Sequence, residues 1–415
     1  MSKNRIYLCL AHMSGQEMKF IKEAFDTNWV VPLGPNVNGF EDDLKAYVGQ
    51  NKEVVALSAG TAAVHLALIA CGVGPGDEVL CQSFTFCASS HPVKYLGATP
   101  VFIDSEPDSW NMDPQLLEKA IKDRIAKTGR KPKAIIPVYL YGMPARIDEI
   151  MEIAGRYDIP IIEDAAEGFG SRFDGQVVGT FGKYGVLSFN GNKMITTSGG
   201  GALVCPDVES KNRIMFYATQ ARESYPYYQH EHIGYNYRMS NICAGIGRGQ
   251  MTVADEHIRH HQRLCELYGE LLSDVEGITV HKNPSERYKS NFWLITCTLD
   301  ESLRVRGEEL AYAAAVKGAV GGAAGVVHQA DSVHTDCEPN RNVEAMRMVL
   351  DAEGIESRPL WKPMHKQPVY SDAPAYLNGV SEGLFKRGMC LPSGPYVSDD
   401  DVRRIVDVIK SAIVK

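Results

Sequence analysis

The stretch VVALSAGTAAVHLALIACGVGPGDEVLC, residues 54–81, contains two strand-like runs on either side of a helix-like segment. The first run, 54–57, is short, apolar and rich in β-branched residues, and 78–81 has a similar pattern. Between them, 61–71 has the length and composition of a helix, and GPGD at 74–77 is typical of a turn. This stretch therefore predicts a strand–helix–strand unit.

The same alternation continues to about residue 204. Apolar runs at 99–103, 134–138 and 159–163 predict further strands, at intervals that leave room for crossover helices. Strands connected in this way pair in parallel, and helices cover both faces of their sheet. The sequence thus predicts an α/β domain with a mostly parallel sheet.

The pattern changes after about residue 250. Helices are predicted at 255–274, 342–353 and 399–414, and a strand is predicted at 291–299. We therefore expect a large α/β domain over 1–250, including an N-terminal arm, and a smaller α+β domain over 251–415.

Residues 310–327 consist almost entirely of Ala, Gly and Val, and the polar segment 328–341 follows them. Two interpretations stay open. One is a helix leading into a flap at 311–325, and the other is an insertion that only fills surface.

The composition is that of an ordinary globular protein. Of 415 residues, 44% are hydrophobic and 23% are charged, which excludes wholly disordered, collagen-like and coiled-coil chains. Lysine and arginine total 43 against 51 for aspartate and glutamate, a formal net charge of −8. This acidic balance offers no footprint for a nucleic-acid backbone, so we expect no nucleic-acid partner.

Cysteine spacing and hydropathy favour a cytoplasmic location. The ten cysteines are scattered without a C-x-x-C pair, so we expect reduced thiols and no metal site. The apolar run at 6–11 is shorter than the hydrophobic region of a signal peptide. No stretch approaches the roughly 20 apolar residues of a membrane-spanning helix. We therefore expect no membrane partner.

The first candidate site is LSAGTAA at 57–63, where small residues link a predicted strand to a predicted helix. Unpaired N–H groups at a helix start bind phosphate. The segment is equally consistent with ordinary N-capping of the helix by Ser58 or Thr61. It is also weaker than a Walker motif, because it lacks the lysine of that pattern.

The second candidate site is IPIIEDAAE at 159–167, an apolar strand that ends in two carboxylates. Successive side chains of a strand point to opposite faces, so only one of Glu163 and Asp164 can face a cleft above the sheet. A buried carboxylate needs a cationic partner, and a protonated ring nitrogen would serve. The alternative is that Asp164 caps a helix.

The third candidate site is GVLSFNGNKMITTSGGG at 185–201. Lys193 lies between apolar runs and among glycines that permit close backbone approach, unlike a typical solvated lysine. A desolvated lysine near other cations loses its proton readily and attacks carbonyl groups. The alternative is an ordinary surface charge.

An aromatic residue near a predicted strand end completes the pattern. Phe86, in SFTF at 83–86, could lie flat on an aromatic ligand, or it could be a core residue. A phosphate cradle, a carboxylate suited to a pyridinium nitrogen and a Schiff-base lysine together describe a pyridoxal phosphate site.

The same residues belong to a larger set of ordered motifs. These are GDEV at 76–79, FTF at 84–86, GATPVF at 97–102, EDAAE at 163–167, SFNGNK at 188–193 and GYNYRM at 234–239. With these motifs the chain resembles the DegT/DnrJ/EryC1/StrS sugar aminotransferases, over roughly 5–300 and 340–415. The resemblance implies a fold-type I pyridoxal phosphate enzyme with a mostly parallel seven-stranded sheet and a smaller C-terminal α+β domain.

Two segments narrow the resemblance. TNWVVPLGPNV at 27–37 and ESRPLWKPMH at 356–365 are similar to the subgroup that aminates C4 of UDP-linked 4-keto-6-deoxy-N-acetylhexosamines for surface glycans and capsules. That subgroup takes the amino group from L-glutamate. The alternatives are another nucleotide-linked keto-sugar, C3-keto or dTDP-linked, and a pyridoxal phosphate-binding regulator. The Ala/Gly-rich 311–325 segment is not part of the family pattern.

The resemblance also implies roles for individual residues. Lys193 forms the Schiff base and moves protons, while Asp164 pairs with the pyridine nitrogen. The other implied cofactor contacts are Gly60, Thr61, Phe86, Glu167, Ser188 and, from the neighbouring subunit of a homodimer, Asn236. The implied substrate contacts are Trp29, Asn190, Arg238 and His365.

The identity of residue 193 bears on a rival within the family. Relatives that deoxygenate sugars as 3-dehydratases carry a histidine at that position, so Lys193 favours amination. The regulator is disfavoured because no helix-turn-helix segment or basic arm precedes residue 27.

Overall fold

The computed structural model describes residues 5–312 and 337–414. Its α-helices are α1 Glu17–Asp26, α2 Pro35–Val48, α3 Gly60–Ala70, α4 His91–Tyr95, α5 Pro114–Thr128, α6 Ile147–Tyr157, α7 Val208–Ala218, α8 Asn241–Met251, α9 Ala254–Leu271, α10 Arg341–Ala352, α11 Val380–Arg387 and α12 Asp399–Ala412. Its strands are β1 Glu53–Leu57, β2 Glu78–Gln82, β3 Thr99–Ile103, β4 Ala134–Ile136, β5 Ile162–Asp164, β6 Arg172–Phe173, β7 Gln176–Val177, β8 Tyr184–Ser188, β9 Gly201–Cys205, β10 Ile278–Val280, β11 Tyr288–Lys289, β12 Ile295–Leu299, β13 Arg358–Pro359, β14 Ala375–Tyr376 and β15 Gly388–Leu391. Short 3₁₀ helices occupy Cys87–Ser89, Leu140–Gly142, Glu308–Leu310, Met364–Lys366 and Pro368–Tyr370.

A large sheet is built mainly from strands between residues 53 and 205. Its two halves have the orders β1-β9-β8-β5 and β4-β2-β3-β14, and parallel bridges Ile135–Ile161 and Val138–Asp164 join β4 to β5. Only β9 runs antiparallel to its neighbours among these strands. The predicted α/β fold with a mostly parallel sheet is therefore confirmed, and the two-residue β14 brings this sheet to eight strands instead of the seven implied by the resemblance.

Burial explains why the strands have such apolar sequences. Every residue of β8 and β9 is buried, as is β1 from Val54 onward, because helices cover both faces of the sheet. The carboxyl ends of the parallel strands meet at one edge, where Leu57, Asp164 and Ser188 end their strands. Open α/β sheets bind ligands at such an edge.

A second, antiparallel sheet has the order β10-β12-β15-β13. Helices α9, α10 and α12 contribute to its core, in which Leu264, Tyr268, Ile295 and Ile405 are buried. One element of the second segment returns to the large sheet, because β14 pairs in parallel with β3. The predicted boundary at residue 250 therefore leaves one short strand of the first sheet in the second segment.

One sequence expectation in this region differs from the structure, and another concerns residues that the structure mostly does not describe. The strand expected at 291–299 begins only at Ile295, because Phe292 has a φ of 49° and Asn291 turns back to accept the N–H of Trp293 at 2.8 Å. The segment 311–325, for which a flap and a surface insertion were both left open, lies, beyond Tyr312, outside the described residues.

Two further findings concern helices and cysteines. Across 5–312 and 337–414, no helix combines the length and apolar character needed to cross a membrane. No disulfide joins any of the ten cysteines, all of which lie within the described ranges.

Candidate active site

A cavity of about 440 Å³ opens at the carboxyl edge of the large sheet. It contains eight of the residues predicted from the sequence: Gly60, Thr61, Phe86, Asp164, Glu167, Ser188, Asn190 and Lys193. Residues at least 100 positions later in the chain, Trp293 and Trp361, also line the cavity. The cavity therefore lies between the two segments of the chain.

The start of α3 forms one wall of the cavity. Its N-cap is Ala59, with extended backbone, and no side chain within the described residues caps the helix. The alternative interpretation of Ser58 or Thr61 as the capping residue is therefore wrong. The uncapped N–H groups, at the positive end of the helix dipole, suit a phosphate.

Glycines bring this helix start close to the neighbouring strands. A Cβ atom on Gly201, the first residue of β9, would lie 2.4 Å from the backbone nitrogen of Gly60. A Cβ on Gly60 would lie 3.0 Å from Cβ of Ser188, at the end of β8. The cradle thus depends on the absence of side chains at both positions.

The two adjacent carboxylates of β5 face opposite sides, as predicted. Glu163 is fully buried away from the cavity, where it accepts the Tyr139 hydroxyl and the N–H groups of Gly179 and Gly182. Asp164 faces the cavity. The alternative interpretation, that Asp164 caps a helix, is wrong because no helix follows β5 directly. Its Oδ1 accepts the N–H of Ala166 at 3.1 Å.

Asp164 is held by a chain of two hydroxyl groups, which was not predicted from the sequence. Ser89 donates to Asp164 Oδ2 at 2.6 Å, and Thr85 lies 2.8 Å from Ser89 Oγ. Burial raises the pKa of Asp164, while the Ser89 hydrogen bond lowers it in part. No lysine, arginine or histidine in the described ranges forms an ion pair with this carboxylate. Asp164 is therefore a buried acceptor suited to a cationic ligand atom.

Lys193 projects into the cavity from the loop between β8 and β9. Its Nζ lies 3.4 Å from Glu167 Oε1 and 3.9 Å from the ring centroid of Trp293. The lysine side chain is only 12% exposed, so the interpretation as a solvated surface charge is wrong. An ammonium over an aromatic face is stabilised by the ring quadrupole.

Glu167 is the carboxylate beside Lys193. Burial raises the pKa of Glu167 to about 7, although Lys193 and the N–H of Tyr141 oppose that rise. The Tyr141 N–H donates to Glu167 Oε2 at 2.6 Å. Tyr141 reaches this position with a left-handed backbone, φ 54°. Glu167 can therefore change protonation state near neutral pH.

Aromatic rings form the rim of the cavity. Phe86 is 52% exposed, so its interpretation as a core residue is wrong. Its ring centroid lies 5.3 Å from that of Trp361, whose backbone N–H donates to the Tyr141 hydroxyl oxygen at 2.8 Å. The exposed face of Phe86 is thus available to a flat ligand.

Four predicted contacts lie outside the lining of this cavity in the single chain. Asn236 and Trp29 are exposed, and the Trp29 carbonyl accepts a hydrogen bond from Asn241. Arg238 forms a buried ion pair with Glu41. His365 Nδ1 lies 2.7 Å from Ser83 Oγ. Their roles stay predictions.

Sequence reasoning missed several cavity or supporting residues, among them Ser89, Tyr141, Asn192, Trp293 and Trp361. Trp361 stands within the quoted 356–365 motif, which offered a signal. Trp293 and Ser89 carry no local pattern, because only the tertiary fold brings them to the site.

The geometry fits pyridoxal phosphate. The uncapped start of α3 suits its phosphate, and Lys193 suits its carbonyl. The buried carboxylate of Asp164, which forms no ion pair with any described residue, suits a protonated ring nitrogen. The exposed Phe86 ring provides a flat surface at the same cavity.

Comparisons with known proteins agree with this geometry. The sequence pattern of the DegT/DnrJ/EryC1/StrS aminotransferase family matches residues 12–323 and 322–410. EpsN of Bacillus subtilis (strain 168), named provisionally as a pyridoxal phosphate-dependent aminotransferase, is 43% identical over 409 residues, covering 98% of this chain and 95% of EpsN. GDP-perosamine synthase of Escherichia coli O157:H7 is 33% identical, covering 96% of this chain and 95% of the synthase. The crystal structure of a DegT DnrJ EryC1 StrS aminotransferase from Brucella abortus has a TM-score of 0.82 and 29% identity, covering 97% of this chain and 96% of that one.

Proposed function

Because the chain belongs to the DegT/DnrJ/EryC1/StrS aminotransferase family and is a pyridoxal phosphate-dependent nucleotide-sugar aminotransferase, we propose a specific reaction for it. It moves the amino group of L-glutamate to C4 of a UDP-2-acetamido-4-keto-2,6-dideoxyhexose. The product is a UDP-4-amino-4,6-dideoxy-N-acetylhexosamine for a surface glycan or capsule.

The observation that carries the proposal is the convergence of Lys193, Glu167 and Asp164 in one cavity beside an uncapped helix start. The choice of acceptor is supported by the resemblance of 27–37 and 356–365 to the C4-aminating subgroup. The second of these segments supplies Trp361 to the cavity wall. A residue at that place can contact a sugar next to the reacting centre.

The residues divide the work of the reaction. When bound, pyridoxal phosphate supplies a carbonyl that accepts the amino group and a ring that spreads negative charge. The uncapped N–H groups of α3, with Ser188, would hold its phosphate. Asp164, fixed by its hydrogen bond from Ser89, would keep a proton on the ring nitrogen.

Lys193 is the covalent partner and the general acid/base of the proposed mechanism. Its amine would hold the cofactor through the carbonyl group and, when free, would carry the proton that leaves the substrate Cα. Glu167 Oε1, 3.4 Å from Lys193 Nζ, accepts a hydrogen bond from the lysine when the lysine is charged. The tryptophan rings limit the access of water to both groups.

We also propose that the enzyme is a homodimer with shared active sites. Trp29, Val30, Val31 and Leu33 are exposed in the single chain, although large exposed apolar patches are rare in monomers. Asn236 is exposed as well, which leaves it available to the neighbouring subunit.

One relative supports a second acceptor. The likeness to GDP-perosamine synthase extends over 96% of the chain, so a GDP-linked keto-sugar is the alternative substrate. The contacts that the protein makes with the nucleotide determine whether the UDP-linked or the GDP-linked sugar is accepted.

The test is a spectroscopic titration of the purified holoenzyme. We expect L-glutamate to remove the visible band of the lysine-bound cofactor, and the UDP-linked 4-keto sugar to restore it. NMR of the product should place nitrogen at C4. Restoration by a GDP-linked 4-keto sugar alone would assign the alternative acceptor, and no response to glutamate would exclude that donor.

A matched pair of variants controls the titration. Lys193→Ala should lack the band and turnover, whereas Lys183→Ala, which removes an exposed lysine ten residues earlier, should behave like the wild type.

A further inference from the structure

Helix α9 carries two buried histidines next to the active site. His257 and His261 are 3% and 0% exposed, and a spacing of four residues places them on one face of the helix. Neither belongs to the cavity lining or to the motifs quoted above. Both rings contact backbone carbonyl oxygens outside α9.

Those carbonyls adjoin the two side chains that form the cation–π contact. His257 Nδ1 lies 3.2 Å from the carbonyl oxygen of Met194, the residue after Lys193. His261 Nδ1 lies 3.0 Å from the carbonyl oxygen of Phe292, the residue before Trp293. A carbonyl only accepts, so each ring carries its proton on Nδ1 and donates it.

The loop and the tryptophan are also tied to each other. Trp293 Nε1 donates to the carbonyl of Asn192 at 2.6 Å, so the residues on both sides of Lys193 are held. Lys193 itself contacts the same tryptophan, since its Nζ lies 3.9 Å from the Trp293 ring centroid. Movement of α9 would change both ends of that contact together.

A third histidine supports the first. His12 Nδ1 lies 3.1 Å from His257 Nε2. Because the Nδ1 proton of His257 is committed to Met194, the neutral ring accepts at Nε2 and His12 donates. Burial lowers the pKa of His257, which keeps the ring in this neutral form.

We propose that His257 and His261 are positioning residues for Lys193. They hold the lysine loop and the Trp293 segment on one rigid helix, and so set the placement of the Lys193 amine. The role of Lys193 itself rests on the proposed function, whereas the placement of its amine can be tested without substrate.

The test compares substitutions that keep or move the donor. In asparagine the amide nitrogen falls where Nδ1 lies, whereas in glutamine it falls nearer Nε2. We therefore compare His257→Asn with His257→Gln, and His261→Asn with His261→Gln. His260→Leu is the control, since His260 lies on the same helix and contacts the 394–397 segment instead.

The first readout is the reactivity of the lysine in the cofactor-free protein. Trace labelling with acetic anhydride, read by mass spectrometry, gives acetylation of Lys193 relative to exposed Lys183 in the same chain. We expect the Gln variants to raise that ratio at least about threefold because the contact opens. The Asn variants and His260→Leu should keep the wild-type ratio.

The second readout is turnover of the holoenzyme. The Gln variants should lower kcat about 10-fold or more with KM changed less than about twofold, because a small displacement of a reacting group is costly. The Asn variants should recover kcat. An unchanged labelling ratio in folded Gln variants would overturn the proposal, even if their melting temperature fell.

The two readouts separate this inference from the proposed function. If the wild type fails to transaminate, the labelling ratio still reports on the placement of Lys193. If the wild type is active and Asn and Gln variants are indistinguishable in both readouts, the positioning role is wrong.

Discussion

Glu163 and Asp164 are neighbours with the same functional group and different tasks. The first satisfies three buried donors behind the sheet, and the second faces the cavity with one serine and one backbone donor. Strand alternation made this division predictable from the sequence. The Ser89 partner was not predictable, because it lies in a short 3₁₀ turn 75 residues earlier.

The division of tasks gives opposite expectations for two similar changes. Asp164→Asn keeps the acceptor for Ser89 but removes the charge that pairs with a ring nitrogen, so kcat should fall at least about 100-fold. Unfolding by urea should change little. Glu163→Gln instead places an NH₂ group against buried donors and should cost about 1–3 kcal/mol of unfolding free energy. Near-normal turnover of Asp164→Asn would exclude its proposed role.

Glu167 gives a pH-dependent prediction for the cofactor-free protein. Its folded-state pKa of about 7 lies above the ordinary value of 4.5, so the folded chain binds the extra proton between those values. The free energy of unfolding should therefore fall as pH rises through that window. Glu167→Gln should remove up to about 3 kcal/mol of this loss by pH 8. The free energy of unfolding is measured with urea for both proteins from pH 5 to pH 8. The same pH dependence in the two proteins would contradict this assignment.

At the scale of elements, the contact between α3 and β9 is set by glycine. A Cβ atom on Gly201 would meet the backbone of Ala59 and Gly60 at 2.4–2.8 Å. Gly201→Ala should therefore cost about 1–3 kcal/mol through overpacking. The displaced helix start should also bind pyridoxal phosphate at least about 10-fold more weakly, measured by equilibrium dialysis.

Gly155→Ala is the matched control for this change. Gly155 lies in α6 with nothing within 4 Å of its added Cβ, so alanine should stabilise the helix by about 0.5–1 kcal/mol. Equal cofactor affinity in the two variants would show that the α3 start does not hold the phosphate.

Elements with local signals were predicted best. β3 has the bounds expected from its β-branched run, and α3 begins one residue earlier than expected. The strand expected at 159–163 was placed less well: β5 is Ile162–Asp164, and residue 161 joins β4 only through an isolated bridge. Such bounds depend on the hydrogen bonds of neighbouring strands, which are contributed by distant sequence.

The cavity is completed by the second segment of the chain. Trp293 precedes β12 of the antiparallel sheet, and Trp361 follows β13, so that sheet places both rings opposite α3. The first segment carries the chemistry that motifs reveal. The second supplies Trp293 and Trp361 to the cavity lining. The positions of these residues follow from long-range packing, which local sequence patterns do not reveal.

The proposed homodimer makes a prediction about two inactive variants. If each site uses Lys193 of one chain and Asn236 of the partner, Lys193→Ala and Asn236→Ala homodimers are both impaired. In a mixed dimer, one site carries both defects and the other carries neither. Random mixing after co-refolding or co-expression should therefore restore about a quarter of wild-type activity.

Activity of the mixture is measured against the two parents at equal total protein. Mixing Lys193→Ala with Lys193→Ala bearing a second tag is the control and should restore nothing. The mixed dimers are isolated by their two tags. If they show no recovered activity, Asn236 lies outside the partner's site. Recovery near the expected fraction would instead establish that the exposed position of Asn236 in one chain becomes part of the neighbouring cavity.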